Sequence, residues 1–334
     1  MDYLKILSAL EAPSGAESGV SGAIAELLKP FTDDVRVTAL GSVIGVIPCG
    51  EPGAKKLMLD AHLDSVGAFV TELVEGGFLR VGVVGMDRRV MLNAEFTVLG
   101  KGGNVRAVPC VLPPHLQKES GKVPEDAEMA FDTGLPLEQL KEKVAVGDPV
   151  IFTPKYAELL GGRSACTSAD NRASCAIVLR ALELTKGKKP KFDVIASFAS
   201  QEEAGGSGAH TAAFEYAPDE AIILDVSFAQ TPDTPYPKAG KMSDGAMIGV
   251  SPRLSRELTQ RLIAAAERAG EKHQTEVMPR DTGTDADDIS VSRCGVPCAM
   301  LSTPLRYMHT PAEVTDGADI ESAAKVLAEY IING

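Results

Sequence analysis

Four short, nearly continuous apolar runs, each closed by a polar cluster or a turn, constrain this chain more than any other feature. They are Lys56-Leu57-Met58-Leu59-Asp60-Ala61, Phe192-Asp193-Val194-Ile195-Ala196-Ser197-Phe198, Ala221-Ile222-Ile223-Leu224 and Val296-Pro297-Cys298-Ala299-Met300-Leu301. Runs of this length without strict alternation are the pattern of strands covered on both faces, as in a parallel sheet between helices. The residues that follow them, His62, Glu202, Glu203, Asp225 and His309, would then lie at or beyond the C-terminal ends of strands. Open α/β sheets bind ligands in that crevice.

The intervening sequence supplies the helices. Ser21 to Leu28, Arg172 to Leu184 and Leu254 to Ala269 repeat apolar residues three and four apart. From about Gly67 to Phe152 the texture changes to short β-like runs between glycines, such as Phe78 to Val84 and Glu95 to Leu99, with an acidic loop near Lys118 to Glu128. The expected class is α/β, a mostly parallel mixed sheet flanked by helices, interrupted by a β-rich, barrel-like insert. Residues 1–66 and 153–334 would form one discontinuous domain, and 67–152 the insert. With 44% hydrophobic residues among 334, the chain has ample material for two structural units.

Charge narrows the partners. Thirty-three basic side chains against 46 acidic ones give a formal charge of −13, which disfavours nucleic acid and anionic membrane surfaces. No run is long enough to span a bilayer, and the first ten residues have helical apolar spacing with no basic region before an apolar core, so no secretory leader is expected. None of the six cysteines forms a C-x-x-C pair, which suits reduced, mostly buried thiols in the cytoplasm.

The polar clusters carry the chemistry. Ala61-His62-Leu63-Asp64 places an imidazole and a carboxylate at alternate positions of an extended segment, where Asp64 could fix the orientation of His62. Glu202 and Glu203 follow a buried strand. Adjacent residues at a strand end diverge, so one carboxylate can hold a metal while the other reaches its water as general base. Asp170 opens Asp-Asn-Arg before a helical stretch; an N-cap is its plain reading, and a bridge between two cations its chemical one. Asp225 could be a ligand or a buried hydrogen-bonding acid, and His309 stands in Tyr307-Met308-His309-Thr310-Pro311. Taken together these groups read as a two-metal hydrolase site. The oxygen and imidazole donors suit zinc, cobalt or manganese.

Order and spacing of these clusters match a known family. Ala12-Pro13-Ser14-Gly15-Ala16-Glu17, Ala61 to Gly67, Asp170-Asn171-Arg172, Gln201-Glu202-Glu203, Asp225-Val226-Ser227, Thr284-Asp285-Ala286 and Arg306 to Glu313 are its markers. Over nearly its whole length the chain resembles the co-catalytic metallo-aminopeptidases, which include tetrahedral aminopeptidases and bacterial glutamyl aminopeptidases, some with a cellulase-like name. The resemblance implies a zinc-exopeptidase-like fold in which His62 and Asp225 bind one metal, Glu203 and His309 the other, and Asp170 both. It makes Glu202 the general base, Asp64 the support of His62, and the segment around Asp285 a border of the substrate pocket. It further implies that the insert dimerises and builds a dodecamer acting on short peptides. The chain departs from the pattern at Ser174, where the family usually has glycine, and at Ala204-Gly205-Gly206-Ser207-Gly208; neither difference removes a ligand.

Other readings stay open on sequence alone. A dinuclear carboxypeptidase or deacylase would need a cation for the substrate carboxylate, and Arg253, Arg280 and Arg306 are available. A glycosidase would use two carboxylates ~5 to 10 Å apart and no histidines, and a chain with no Trp and 5% aromatic residues offers little for sugars to stack on. A non-catalytic scaffold would have no need of Glu202. His115, His210 and His273 read as surface or structural.

Overall fold

The computed structural model describes residues 2–116, 123–125, 128–234 and 239–334; most of the acidic loop expected near Lys118 to Glu128 lies outside them. The chain opens with α1 (Tyr3–Leu7), α2 (Ser21–Leu28), β1 (Val35–Val37), β2 (Val43–Ile47) and β3 (Lys56–His62). There follow β4 (Gly67–Val74), β5 (Phe78–Val84), α3 (Arg88–Met91), β6 (Phe96–Val98), β7 (Val105–Pro109), β8 (Ala130–Asp132), α4 (Leu137–Lys143) and β9 (Pro149–Phe152). Next come β10 (Tyr156–Glu158), β11 (Arg163–Cys166), α5 (Ala169–Thr185), β12 (Asp193–Ala199), α6 (Ser207–Tyr216) and β13 (Glu220–Phe228). The last elements are β14 (Ala246–Val250), α7 (Arg256–Ala269), β15 (His273–Val277), α8 (Asp285–Ser290), β16 (Cys298–Leu305), β17 (Glu313–Asp316) and α9 (Gly317–Asn333).

All four apolar runs become strands of one eight-stranded sheet, ordered β1-β2-β12-β3-β13-β16-β14-β15. Its centre, β12, β3, β13 and β16, is parallel. Antiparallel pairs at β1 with β2, β2 with β12 and β14 with β16 make it mixed. The central strands are buried on both sides, which is why their sequences do not alternate: Leu57, Leu59 and Ala61 pack into the core shared with α5, α7 and α9, while Met58 faces the smaller core under α6 and α8. Each such leucine, taken fully out of water, contributes about 1.5–3 kcal/mol.

The helices follow the same logic. Ser255 caps α7 by accepting from the Leu258 N–H, the spaced residues Leu258, Leu262, Ala265 and Ala266 are buried, and Gly270 ends the helix at φ 69°. Residues 67–152 close into a six-stranded antiparallel barrel, β4-β5-β8-β7-β6-β9, around its own core with Phe96 and Phe131 at the centre. The Gly100-Lys101-Gly102-Gly103-Asn104 stretch is the turn between the paired strands β6 and β7. Among the described residues, no helix is long and apolar enough to cross a membrane.

Candidate active site

Parallel pairing aligns the ends of the central strands, and the polar clusters meet there. His62 ends β3, Asp225 lies within β13 three residues before its end, and Glu202 and Glu203 follow β12 by three and four residues. Asp170 arrives from the start of α5. The helix is capped at Ser168 rather than at Asp170, whose backbone (φ −78°, ψ 103°) is non-helical and whose peptide bond to Asn171 is cis. The plain N-cap reading of Asp170 therefore does not hold: its carboxylate turns away from the helix toward two histidines.

Asp170 Oδ1 is 3.2 Å from His62 Nε2, and Oδ2 is 3.2 Å from His309 Nε2. Asp225 Oδ1 stands 3.8 Å from His62 Nε2, and Glu203 Oε1 is 3.3 Å from His309 Nε2. A tetrahedral ion with ligands at about 2.0–2.2 Å spaces its donors about 3.3–3.6 Å apart, so these separations suit two cations. His62 with Asp170 and Asp225, and Asp170 with Glu203 and His309, are two groups able to hold an ion; a third combination is His62 with Glu202 and Glu203. Glu203 Oε1 is buried and accepts no hydrogen bond. Two divalent cations would also balance the four carboxylates gathered here.

Both histidines are oriented through Nδ1. That atom of His62 lies 3.1 Å from the Asp64 carbonyl oxygen, and that of His309 lies 3.1 Å from the Gly85 carbonyl oxygen. A carbonyl only accepts, so Nδ1 carries a proton and Nε2 is the ring atom turned to the carboxylates, donating to them while protonated and offering its lone pair to a cation once deprotonated. The Asp64 side chain does something the spacing alone did not reveal. Oδ1 accepts from the Glu202 N–H at 3.0 Å and Oδ2 from the Glu203 N–H at 3.1 Å, so one buried carboxylate clasps the turn that carries both glutamates.

The titration of these groups reflects their crowding. Burial alone would lower His62, but Glu202, Asp170, Asp64 and Asp225 outweigh it and raise the ring well above the ordinary histidine value. Burial would lower His309 too, and Asp170 and Glu203 raise it to about 11. Burial pushes Glu202 up to about 7, opposed by His62 and aided by Glu203 and Asp170. Asp170 is held far below the usual carboxylate range: the hydrogen bonds from His309 and His62 outweigh its burial.

Two further glutamates support the site, and sequence reasoning gave them no role. Gln201 and His309 adopt left-handed backbone, φ 63° and 62°, at about 1–3 kcal/mol each for a non-glycine residue. The buried Glu17 carboxylate accepts the N–H of Gln201 at 2.9 Å, and the buried Glu313 accepts the N–H groups of His309 at 2.7 Å and Asp170 at 3.0 Å. The signal was available, since both end marker segments.

Asp285 begins α8, is 2% exposed and meets Asp60 rather than open solvent. Burial raises it well above the carboxylate range, as the neighbouring Asp60 does, and burial raises Asp60 to about 6. The preceding Thr282, Gly283 and Thr284 are the ones that line the cleft in front of the site, a cavity of about 260 Å³. No lysine or arginine is among its described lining residues. Arg306 donates to the Gln230 carbonyl at 2.9 Å and Arg253 faces Asp287 at 4.0 Å, so neither enters it. His210 is tied to the Asp288 carbonyl at 3.2 Å, away from the cluster.

A family model described as M42 glutamyl aminopeptidase matches residues 41–326. The chain is 30% identical, over 98% of its length and 95% of the relative's, to a lysyl aminopeptidase of Pyrococcus furiosus. Its fold is similar to that of an aminopeptidase from the archaeon Desulfurococcus kamchatkensis, at TM-score 0.92 and 32% identity, covering 99% of this chain and 94% of that one. It is also similar to the Pyrococcus horikoshii TET1 peptidase, described as assembling into a tetrahedron or an octahedral shell, at TM-score 0.88 and 26% identity over 100% and 99% of the two chains.

Proposed function

The chain belongs to the M42 glutamyl aminopeptidase family and is a hydrolase of peptide bonds, and on that footing we propose a two-cation aminopeptidase that removes N-terminal residues from short peptides. The carrying observation is the division of Asp170 between two imidazoles, one oxygen 3.2 Å from each Nε2. His62 and Asp225 would hold one cation, Glu203 and His309 the other, and Asp170 both. Zinc, cobalt or manganese would suit these donors. Bound there, the cations would supply an acidified water and positive charge opposite the developing oxyanion.

The remaining steps belong to the protein. Glu202 takes the proton of the attacking water and delivers it to the leaving amine, a task suited by its burial and by its place beside the seats, 3.9 Å from His62 Nε2. Asp64 holds the Glu202 and Glu203 amides so that one carboxylate points at the metal seat and the other at the water. The carboxylates bordering the cleft attract the substrate α-ammonium. Among the described residues, the absence of a lining lysine or arginine supports an aminopeptidase over a carboxypeptidase or deacylase, and a lining with Phe228 as its one Phe, Tyr or Trp weighs against a glycosidase.

The barrel would be the unit of dimerisation in a dodecamer. Val108, Val111 and Leu112 support this: they are 48%, 47% and 62% exposed near its outer strands. Six free cysteines suit a reducing cytoplasm.

The test is hydrolysis of aminoacyl anilides and of free against N-acetylated peptides by protein stripped with chelator and refilled with zinc, cobalt or manganese. Cleavage should require metal and a free amine, and vanish in Glu202→Gln. Turnover of only blocked or C-terminal substrates would overturn the reading. Analytical ultracentrifugation of wild type and Val108→Asp checks the assembly.

A further inference from the structure

The wall of the cleft opposite the metal ligands holds one acid that the reaction does not use. Glu276 projects from β15 among Phe228, Met278, Met300 and Met308. Its Oε1 accepts from the Ser227 hydroxyl. Its Oε2 is buried with the Ser302 hydroxyl beside it, and no lysine or arginine stands among the described lining residues to balance the carboxylate. Ser227 stands two residues beyond Asp225 on β13, about 6.6 Å further along the strand at ~3.3 Å per residue. The carboxylate therefore lines the same cleft as the metal seats, held by a serine two residues beyond Asp225 and flanked by apolar side chains.

We propose that this part of the cleft is the pocket for the first side chain of the substrate and that Glu276 selects lysine or arginine there. The inference rests on the aminopeptidase reading, which fixes where that side chain goes. A lysine offers a four-carbon stem for the thioether wall and an ammonium for the uncompensated carboxylate. An acidic side chain would meet Glu276 with no compensating lysine or arginine among the described lining residues. Burial raises the Glu276 carboxyl, while Ser227 and Ser302 oppose that rise; a bound cation favours its ionised form. The preference is thus for a basic residue, in a family whose description names glutamyl.

Lysyl and norleucyl anilides differ only in the terminal ammonium and so isolate this contact. With zinc-loaded protein the lysyl substrate should have the higher kcat/KM and the glutamyl one the lowest. Glu276→Gln should lower the lysyl-to-norleucyl ratio at least about tenfold, and Glu276→Asp should recover part of it. A norleucyl rate equal to or above the lysyl rate in wild type overturns the proposal, even if the variants fail to fold. So does an equal fall for both substrates in Glu276→Gln, which would make the residue an anchor of the amine or of the wall. If no aminoacyl anilide is cleaved, the reaction assignment fails, and calorimetry with lysinamide against norleucinamide decides the pocket by itself: tighter lysinamide binding supports it and equal binding overturns it.

Discussion

Replacing Asp64 by asparagine tests how the glutamate turn is held. The wild-type carboxylate is fully buried and accepts two backbone N–H groups, from Glu202 at 3.0 Å and Glu203 at 3.1 Å. Asparagine retains one acceptor, and whichever way its amide is turned the NH2 group faces an N–H. One charge-assisted bond is lost and two buried donors go unsatisfied, at about 1–3 kcal/mol for each such defect. The expected loss is about 2–4 kcal/mol, a large share of a typical stability of about 5–15 kcal/mol. Urea unfolding of the metal-free protein measures it, with an unchanged slope as the control. The deficit should depend on pH. Burial would raise the Asp64 carboxyl, but His62 and the Glu202 N–H hold it below its ordinary 3.8. A depressed native value stabilises the fold above the unfolded value and loses that contribution as pH falls through the native one. The gap between wild type and variant should therefore be full at neutrality and narrow below 3.8. Glu202 would shift with its backbone, and about a hundredfold loss of kcat is expected for a misplacement near 1 Å. A stability change below about 0.5 kcal/mol with kcat unchanged would refute the argument.

Three other outcomes follow from the packing. Glu220 is 3% exposed and accepts from both Arg261 terminal nitrogens and from the Tyr330 hydroxyl, each at 2.8 Å, tying β13 to α7 and α9. Glu220→Gln should destabilise by about 1–3 kcal/mol in thermal or urea unfolding, because Arg261 is partly solvated. Gly77 has φ 84°, and a Cβ there would lie 1.6 Å from the Leu135 carbonyl oxygen; Gly77→Ala should weaken the barrel by about 2 kcal/mol or more, read by hydrogen exchange in β4 and β5. Burial pushes the thiols of Cys166, Cys175 and Cys298 up to about 12, so iodoacetamide at pH 8 should label the exposed Cys294 and spare those three, as mass spectrometry will show.

The central sheet was legible because burial on both faces leaves an apolar run, and Lys56 to His62 shows it without ambiguity. The helix at Ser21–Leu28 was legible from its spacing. The barrel-like character of the insert was expected from its texture, but which strands close it was not legible, because the pairing of β9 with β4 joins residues far apart and leaves no local mark. At the site, residue types pointed to groups that the fold brings together, His62, Asp170, Glu203, Asp225 and His309 among them. What each carboxylate grips was hidden. Asp64 was expected to meet His62, and its Oδ1 does lie 3.7 Å from Nδ1, but its hydrogen bonds go to two backbone amides. Glu17, Glu313 and Glu276 depend on contacts between distant segments, and no spacing rule reports those. Asp170 had both an N-cap and a bridging reading, because the sequence Asp-Asn-Arg before a helix carries no sign of the backbone turn that redirects its carboxylate.

The carbonyl of Gly85 that orients His309 belongs to the barrel, one residue past β5. Its φ is 73°, and a Cβ there would lie 2.5 Å from Val66 Cγ1 and 3.3 Å from Glu203 Oε2, so the barrel reaches the site through a point where only glycine fits without a shift. Barrel folding and cation occupancy on His309 would in consequence be linked equilibria. Whatever stiffens the barrel would raise affinity at that seat, and a cation bound there would stabilise the barrel by the same factor. The seat on His62 has its orienting carbonyl beside its own strand and would feel the barrel only through the shared Asp170. Of two cations held as proposed, the one on His309 would therefore be the first lost as the barrel loosens.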